Sequence, residues 1–236
     1  MDFEIIFDSI PLYLEGLVVT LWLVGLSVLI GFALALPLSI MRTSKNQFIN
    51  KPVWAFTYFF RGTPLLVQMF MIYYGLGQSE TLQSLYDVAP ILKQASLYAL
   101  VAFTLNTAAY TTEIFRGSIE QTPFGEIEAA KACGMSRGLM LRRIILPSAL
   151  RRAIPAYSNE IVFMLHGSAI ASVITIIDLT GAARLVQSDY YAPFEAFVTA
   201  GAFYFVLTFF ILWVFRVVEK RLNRHLRPRE EVNMVV

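Results

Sequence analysis

Uncharged stretches of bilayer-crossing length recur five times along this chain. The first lies between Glu15 and Arg42, 26 residues without a charge. The second runs from about Pro52 to Leu76 and is interrupted only by Arg61. The third occupies the 19 residues between Lys93 and Glu113. The fourth extends from Ala153 to just before Asp178, with Glu160 inside it. The fifth fills the 20 residues between Glu195 and Arg216. A helix needs about 20 apolar residues to cross the hydrocarbon core, with a range of about 17–25. The runs lack the two-residue alternation of membrane β-strands, so each predicts a helix. The pattern predicts an all-α integral membrane protein, one transmembrane domain over 1–236, with five spans at about 16–41, 53–76, 94–114, 153–176 and 195–216.

Composition supports lipid as the solvent. The chain is 57% hydrophobic and 15% charged, with a mean hydropathy of +0.61; a soluble domain carries about 25% charged residues. A single cysteine, Cys133, excludes an internal disulfide, and with only His166 and His225 a cysteine or histidine metal cluster is not available. The formal net charge of +2 gives no basis for nucleic-acid binding. Residues 1–41 contain no Lys or Arg, so the basic start of a secretory signal is missing; they carry Asp2, Glu4, Asp8 and Glu15 instead.

The placement of Lys and Arg sets an orientation. Five spans put 16 of them, in 42–51, 115–152 and the tail from Arg216, on one side, and only Lys93 and Arg184 on the other. The positive-inside rule then predicts an outside N-terminus and a cytoplasmic C-terminus. The last residues, "REEVNMVV" after Pro228, read as a loose tail.

One long segment on the basic side, 115–152, is not apolar. Gln121–Gly125 reads as a loop, and Glu126–Cys133 is composed of helix formers. Gly134 can end that helix in the left-handed conformation, Ser136 can cap a second one, and Pro147 is expected to stop it. Leu139, Met140, Ile144 and Ile145 make the second helix amphipathic, with Arg142 and Arg143 offset. Taken alone, this is an interfacial hairpin that anionic lipid would hold.

The spacing within it carries a resemblance. Glu128, Ala129 and Ala130, then three residues, Gly134, nine residues, and Ile144, Leu146 and Pro147 resemble the EAA motif of permease subunits of ATP-binding-cassette (ABC) importers. "FRGTPLLVQ" (60–68), "TLNTAAYTTEIFRGSIE" (104–120) and "LPSALRRAIPAYSNEIVFMLHGSAIAS" (146–172) look like the polar-amino-acid permeases of that superfamily. The likeness is greatest to the M-type subunits of histidine and lysine/arginine/ornithine importers, with opine importers related. Together these stretches cover most of the chain after Met41.

The resemblance implies a type I importer permease core of five helices in the bacterial inner membrane. It implies a coupling hairpin at 120–147 that docks on an ATPase, with Glu128, Ala129, Ala130, Gly134, Ile144, Leu146 and Pro147 as the coupling residues. The implied partners are two ATPase subunits, a second and distinct permease subunit, and a periplasmic amino-acid-binding protein. ATP and Mg belong to the ATPase. This chain has no G-x-x-x-x-G-K-[ST] loop to bind nucleotide itself.

Polar groups inside the spans are the candidates for a substrate site, because ionisable residues at membrane depth are costly and mark pathways. Glu160 lies deep in span four. On a helix it shares a face with Tyr157, Met164, Gly167 or Ser168, and Ala171. Two roles are open to it: ligand to a cationic guest, or ion-pair partner of Arg61 or Arg151. Asn106, Tyr110 and Glu113 share a face of span three. In span two Pro64 frees a backbone carbonyl near Phe60, and Arg61, Thr63 and Gln68 flank it. The α-carboxylate and α-ammonium of a free amino acid need donors and acceptors that Arg61, Thr63, Gln68 and Asn106 carry. The expected substrate residues are therefore Glu160, Asn106, Gln68, Thr63, Arg61, Tyr110, Met164 and Ser168. Arg61 and Glu113 also read as paired or snorkelling charges, and His166, on another face, reads as a packing histidine.

Three classes of function remain to be weighed. The first is the importer subunit, for a cationic amino acid or else for other polar amino acids or opines. The second is a stand-alone channel or secondary carrier, which usually has more spans and repeated halves than this chain offers. The third is a membrane enzyme, for which neither H-E-x-x-H nor G-x-S-x-G is present.

Overall fold

The computed structural model describes residues 3–222; the tail expected to be loose lies outside them. The order is α1 (Phe3–Arg42), α2 (Gln47–Gly62), α3 (Leu65–Phe70), α4 (Glu80–Gln83), α5 (Ala95–Glu120), α6 (Phe124–Ala132), α7 (Arg137–Met140), α8 (Leu146–Gly167), α9 (Leu179–Tyr190) and α10 (Pro193–Leu222). Wide π-type turns at Met71–Leu76 and Leu141–Ile145 and tight 3-10 stretches at Pro90–Lys93 and Ser168–Ile174 complete the helical path.

Small residues govern the packing. α5 lies against α1 along much of its length, and Ala99, Ala102, Ala108 and Ala109 of α5 are fully buried. Alanine on that face lets backbones approach where no hydrophobic drive separates helix from lipid. At the tightest point a Cβ added to Gly31 of α1 would sit 2.5 Å from Cγ2 of Thr107. The central core joins Leu23, Met69, Phe103, Leu165 and Ile174. A second core gathers Tyr13, Leu179, Ala183, Val186 and Ala200 under α9. A third, near the hairpin end, is built on Ala35, Phe115 and Ala153, with Phe32 and Tyr157 packed on it. Phe205, Phe209, Phe210 and Trp213 of α10 face outward, as lipid-facing side chains do.

By length and composition two helices can each cross a bilayer, Glu4–Arg42 and Pro193–Leu222. The segments Arg137–Ile174 and Leu179–Tyr190, bent by 49°, make a third if they count as one span. The expected second span is broken at Thr63–Pro64 into α2 and α3. α1 begins at Phe3, not near residue 16, because the acidic N-terminal residues continue the same helix.

Two further differences have local causes. α9 was not expected. Asp178 caps it, its Oδ1 accepting from the Gly181 amide at 2.8 Å, and Thr175 and Tyr191, both at positive φ, turn the chain before and after it. Pro147 does not stop the preceding helix. It occupies the first turn of α8, where a missing N–H is tolerated. Just before it the Leu146 amide reaches back five residues to the Leu141 carbonyl. The wider turn relieves the clash of the proline ring with the carbonyl four residues earlier.

Candidate functional site

A cavity of about 450 Å³ opens between α5 and α8, bordered by Leu65 of α3. Asn106 and Tyr110 line it from α5, and Asn159, Glu160, Phe163 and Met164 line it from α8. Glu160 is only 6% exposed. Thr107 lies beside its carboxylate, and Arg61 is near enough for its charge to act on it through space. Among the described residues Glu160 has no salt bridge, so the ion pair with Arg61 or Arg151 that the sequence left open does not form here. The Arg61 guanidinium instead lies 5.3 Å from the centre of the Tyr110 ring, a cation–π arrangement.

Of the eight expected substrate residues, Glu160, Asn106, Tyr110 and Met164 share this cavity, with Arg61 at its edge. Gln68, Thr63 and Ser168 lie elsewhere. The Gln68 side-chain amide donates to Phe60 O at 2.7 Å and to Thr63 O at 2.9 Å, and lies 2.6 Å from Thr63 Oγ1. Phe60 O is the carbonyl that Pro64 leaves without its helical partner, so Gln68 closes the broken helix. Thr63 Oγ1 donates to Phe59 O at 2.9 Å on the same break. Ser168 is fully buried and donates to Leu165 O at 2.7 Å. There α8 ends and a 3-10 stretch begins, and Ser168 is buried at that junction rather than in the cavity lining. Tyr157 also leaves that face, packing on Phe32 and Phe115.

Sequence reasoning passed over Phe163 and gave no role to Asn159 or Thr107. Asn159 adjoins Glu160, which is a usable signal. Thr107 carries none, being one of many threonines in α5 until packing points it at the carboxylate. His166 is exposed and meets Thr208 Oγ1 of α10 at 3.0 Å. Glu113 is fully paired: it accepts from Arg42 at 3.1 Å, Thr57 at 3.0 Å and Arg116 at 2.6 Å.

At one end of the bundle the chain leaves α5, forms the hairpin and returns as α8. Gly134, at φ 71°, closes α6. Its amide donates to Lys131 O at 2.9 Å and that of Met135 to Ala130 O at 3.1 Å, the paired bonds of a Schellman ending. Ser136 Oγ then accepts from the Leu139 amide at 3.4 Å. Ala130 is buried against the hairpin's return, whereas Glu128, Ala129 and Phe124 face outward. The hairpin thus leaves an acid, a small side chain and an aromatic exposed.

Apolar helices thus enclose a buried carboxylate, and a capped hairpin projects from one end of the bundle. Residues 9–224 match the family of binding-protein-dependent transport system inner membrane components, and the chain belongs to that family. It is therefore an ABC-importer permease subunit of the inner membrane, not an enzyme, and ATP hydrolysis belongs to a separate subunit. Members of the family work with ATPase subunits and a binding protein.

The chain is 42% identical to the nopaline transport system permease protein NocM of Agrobacterium fabrum, over 97% of this chain and 95% of the relative. It is 47% identical to the histidine/lysine/arginine/ornithine transport system permease protein HisM of Escherichia coli K12, over 90% of each. Among solved structures, a crystal structure of an amino acid ABC transporter with histidines superposes with a TM-score of 0.82 at 34% identity, covering 94% of this chain and 99% of that one.

Proposed function

We propose that this chain imports a cationic L-amino acid, namely arginine, lysine, ornithine or histidine, as one of two distinct permease subunits around a shared pathway. The observation that carries the reading is the buried Glu160 carboxylate opening into a cavity of about 450 Å³. A carboxylate in low dielectric favours a cationic partner over water or a neutral side chain. Asn106 and Asn159 offer hydrogen-bonding groups to the ends of a free amino acid, Tyr110 and Phe163 give aromatic walls, and Met164 adapts to shape. Arg61, beside Tyr110, is placed for the α-carboxylate. In this reading Gln68, Thr63 and Ser168 act on the backbone that shapes the cavity. The relatives named for histidine, lysine, arginine and ornithine transport support this class.

The remaining parts follow the same reading. Five spans place the N-terminus in the periplasm and the 120–147 hairpin and C-terminus in the cytoplasm. The hairpin docks on an ATPase that carries ATP and Mg, and a periplasmic protein delivers the substrate. Closure of the ATPase pair drives the hairpin, and the site's affinity differs between outward and inward states; that differential is what ATP drives.

A second reading has a specific observation behind it, the 42% identity to permeases of nopaline and octopine transport. Uptake by the assembled importer separates the two. Labelled arginine is competed with lysine, histidine, glutamine, nopaline and octopine. Strong competition by the basic amino acids alone is expected. Competition by the opines at lower concentration than arginine itself would replace the first reading with the second.

A further inference from the structure

Side chains buried within the projecting hairpin are few. Ala130 is the one buried side chain of α6, and neither α7 nor the turn Leu141–Ile145 buries any. Between the hairpin and the base of α8 lies an open cleft of about 920 Å³, bordered by Ala129, Cys133, Ile144 and Arg151. A segment so thinly packed bends locally when loaded, unless its two roots are tied.

Arg152 ties them. From the second turn of α8 its Nη2 donates to Ser118 O at 3.0 Å and to Thr122 Oγ1 at 2.9 Å, while Nη1 donates to Ser148 Oγ of its own helix at 2.6 Å. Ser118 belongs to the last turn of α5, where carbonyls lack helical partners and a cation is favoured by the helix dipole. Thr122 is buried and in turn donates to Ile119 O at 2.8 Å. The two roots of the hairpin, 30 and 34 residues apart in sequence, are thus joined by one planar guanidinium. Lysine has no such fork.

We propose that Arg152 is a positioning residue for energy coupling: by locking the end of α5 to the start of α8, it makes the hairpin and both helices move as one lever. The proposal rests on the reading of 120–147 as the ATPase-docking element. It goes beyond that reading in naming the bond that carries the load into the bundle.

The test uses the whole importer reconstituted in liposomes: this chain, its sister permease, the ATPase pair and the binding protein. Substrate taken up per ATP hydrolysed is measured for wild type, Arg152→Lys, Arg152→Gln and Thr122→Val. The ATPase should copurify in full and hydrolyse ATP in every case. Uptake per ATP should fall about tenfold in Arg152→Gln, which removes the charged fork that makes both bonds to the α5 end, and by less in Arg152→Lys and Thr122→Val. An unchanged ratio in Arg152→Gln overturns the proposal. So does failure of both Arg152→Gln and Thr122→Val to assemble, which would make the contact purely structural. Gly134→Arg separates the two levels. If it loses the ATPase while Arg152→Gln keeps its ratio, only the lever is wrong; if it keeps both ATPase and transport, the docking reading fails and the lever with it.

Discussion

Asn106 donates through Nδ2 to the side-chain oxygen of Gln68 at 3.0 Å, and both amides reach the carbonyl of Phe60. One residue of the cavity wall is therefore fixed by the residue that closes the break between α2 and α3. The broken helix and the cavity are one polar construction. Its members divide into those that face the cavity and those that hold the backbone behind it.

That division can be measured at Gln68. Gln68→Leu leaves the Thr63 carbonyl without the Gln68 donor, the Phe60 carbonyl with Asn106 Nδ2 alone, and Asn106 without the Gln68 oxygen, at a cost of about 1–3 kcal/mol. The thermal midpoint of the purified complex should fall, with KM for uptake changed less than by any substitution of Glu160. A normal midpoint together with lost substrate affinity would make Gln68 a ligand instead.

Gly31 tests the support of Glu160 from the opposite side. Alanine there places its Cβ 2.5 Å from Thr107 Cγ2, and Thr107 lies beside the Glu160 carboxylate. Gly31→Ala should raise KM about tenfold by pushing the Thr107 side chain against the carboxylate, a loss of about 1.4 kcal/mol. Gly201→Ala, which meets nothing within 4 Å, serves as the control and should match wild type in the same uptake assay.

At the far end of α1, Gly16 touches the start of α9. A Cβ there would lie 2.7 Å from the Asp178 carbonyl oxygen, a backbone atom that cannot step aside. The same junction is held by Thr20 Oγ1, which accepts from the Leu179 amide at 3.1 Å. Gly16→Ala should destabilise by about 1–3 kcal/mol through overpacking, seen as a lower melting midpoint in detergent.

Glu113 joins three helices through Arg42 of α1, Thr57 of α2 and Arg116 of its own helix. Glu113→Gln leaves Arg42 without its carboxylate and Arg116 with Glu120 as its only one among the described residues. Because the network is partly exposed, a cost of about 1–2 kcal/mol is expected rather than that of a fully buried pair. Thermal unfolding checks it, and Glu113→Asp should recover part of the loss.

How much of this was legible in the sequence depended on how local its cause is. Gly134 and Ser136 act on their immediate neighbours, so the helix end and the cap could be read directly. Pro64 likewise marked its own break and the freed Phe60 carbonyl. Pro147 is the counter-example. A proline ends a helix or opens one, and only the wide turn before it, which no residue type announces, decides between them. α9 was hidden because its Arg184 and Asp189 look like a loop between apolar spans. Its fixed position comes from distant partners, Tyr13 and Ala196 among them, with Tyr13 Oη donating to Ala196 O at 2.8 Å. In the cavity, Glu160 and Asn106 stood out as polar residues at membrane depth. Ser168 shares their face by helical spacing but is buried where α8 ends, its hydroxyl spent on Leu165 O, and Thr107 became visible only through packing.

The uptake of labelled arginine by the reconstituted importer, compared between wild type and Glu160→Gln with equal amounts of assembled complex, bears on everything above. Removing the charge while keeping the shape should raise KM by about 10²-fold, equivalent to roughly 2.7 kcal/mol of lost interaction, with the ATPase still bound. Arginine uptake with an unchanged KM in the fully assembled Glu160→Gln complex would contradict the assignment of the cation site to this cavity.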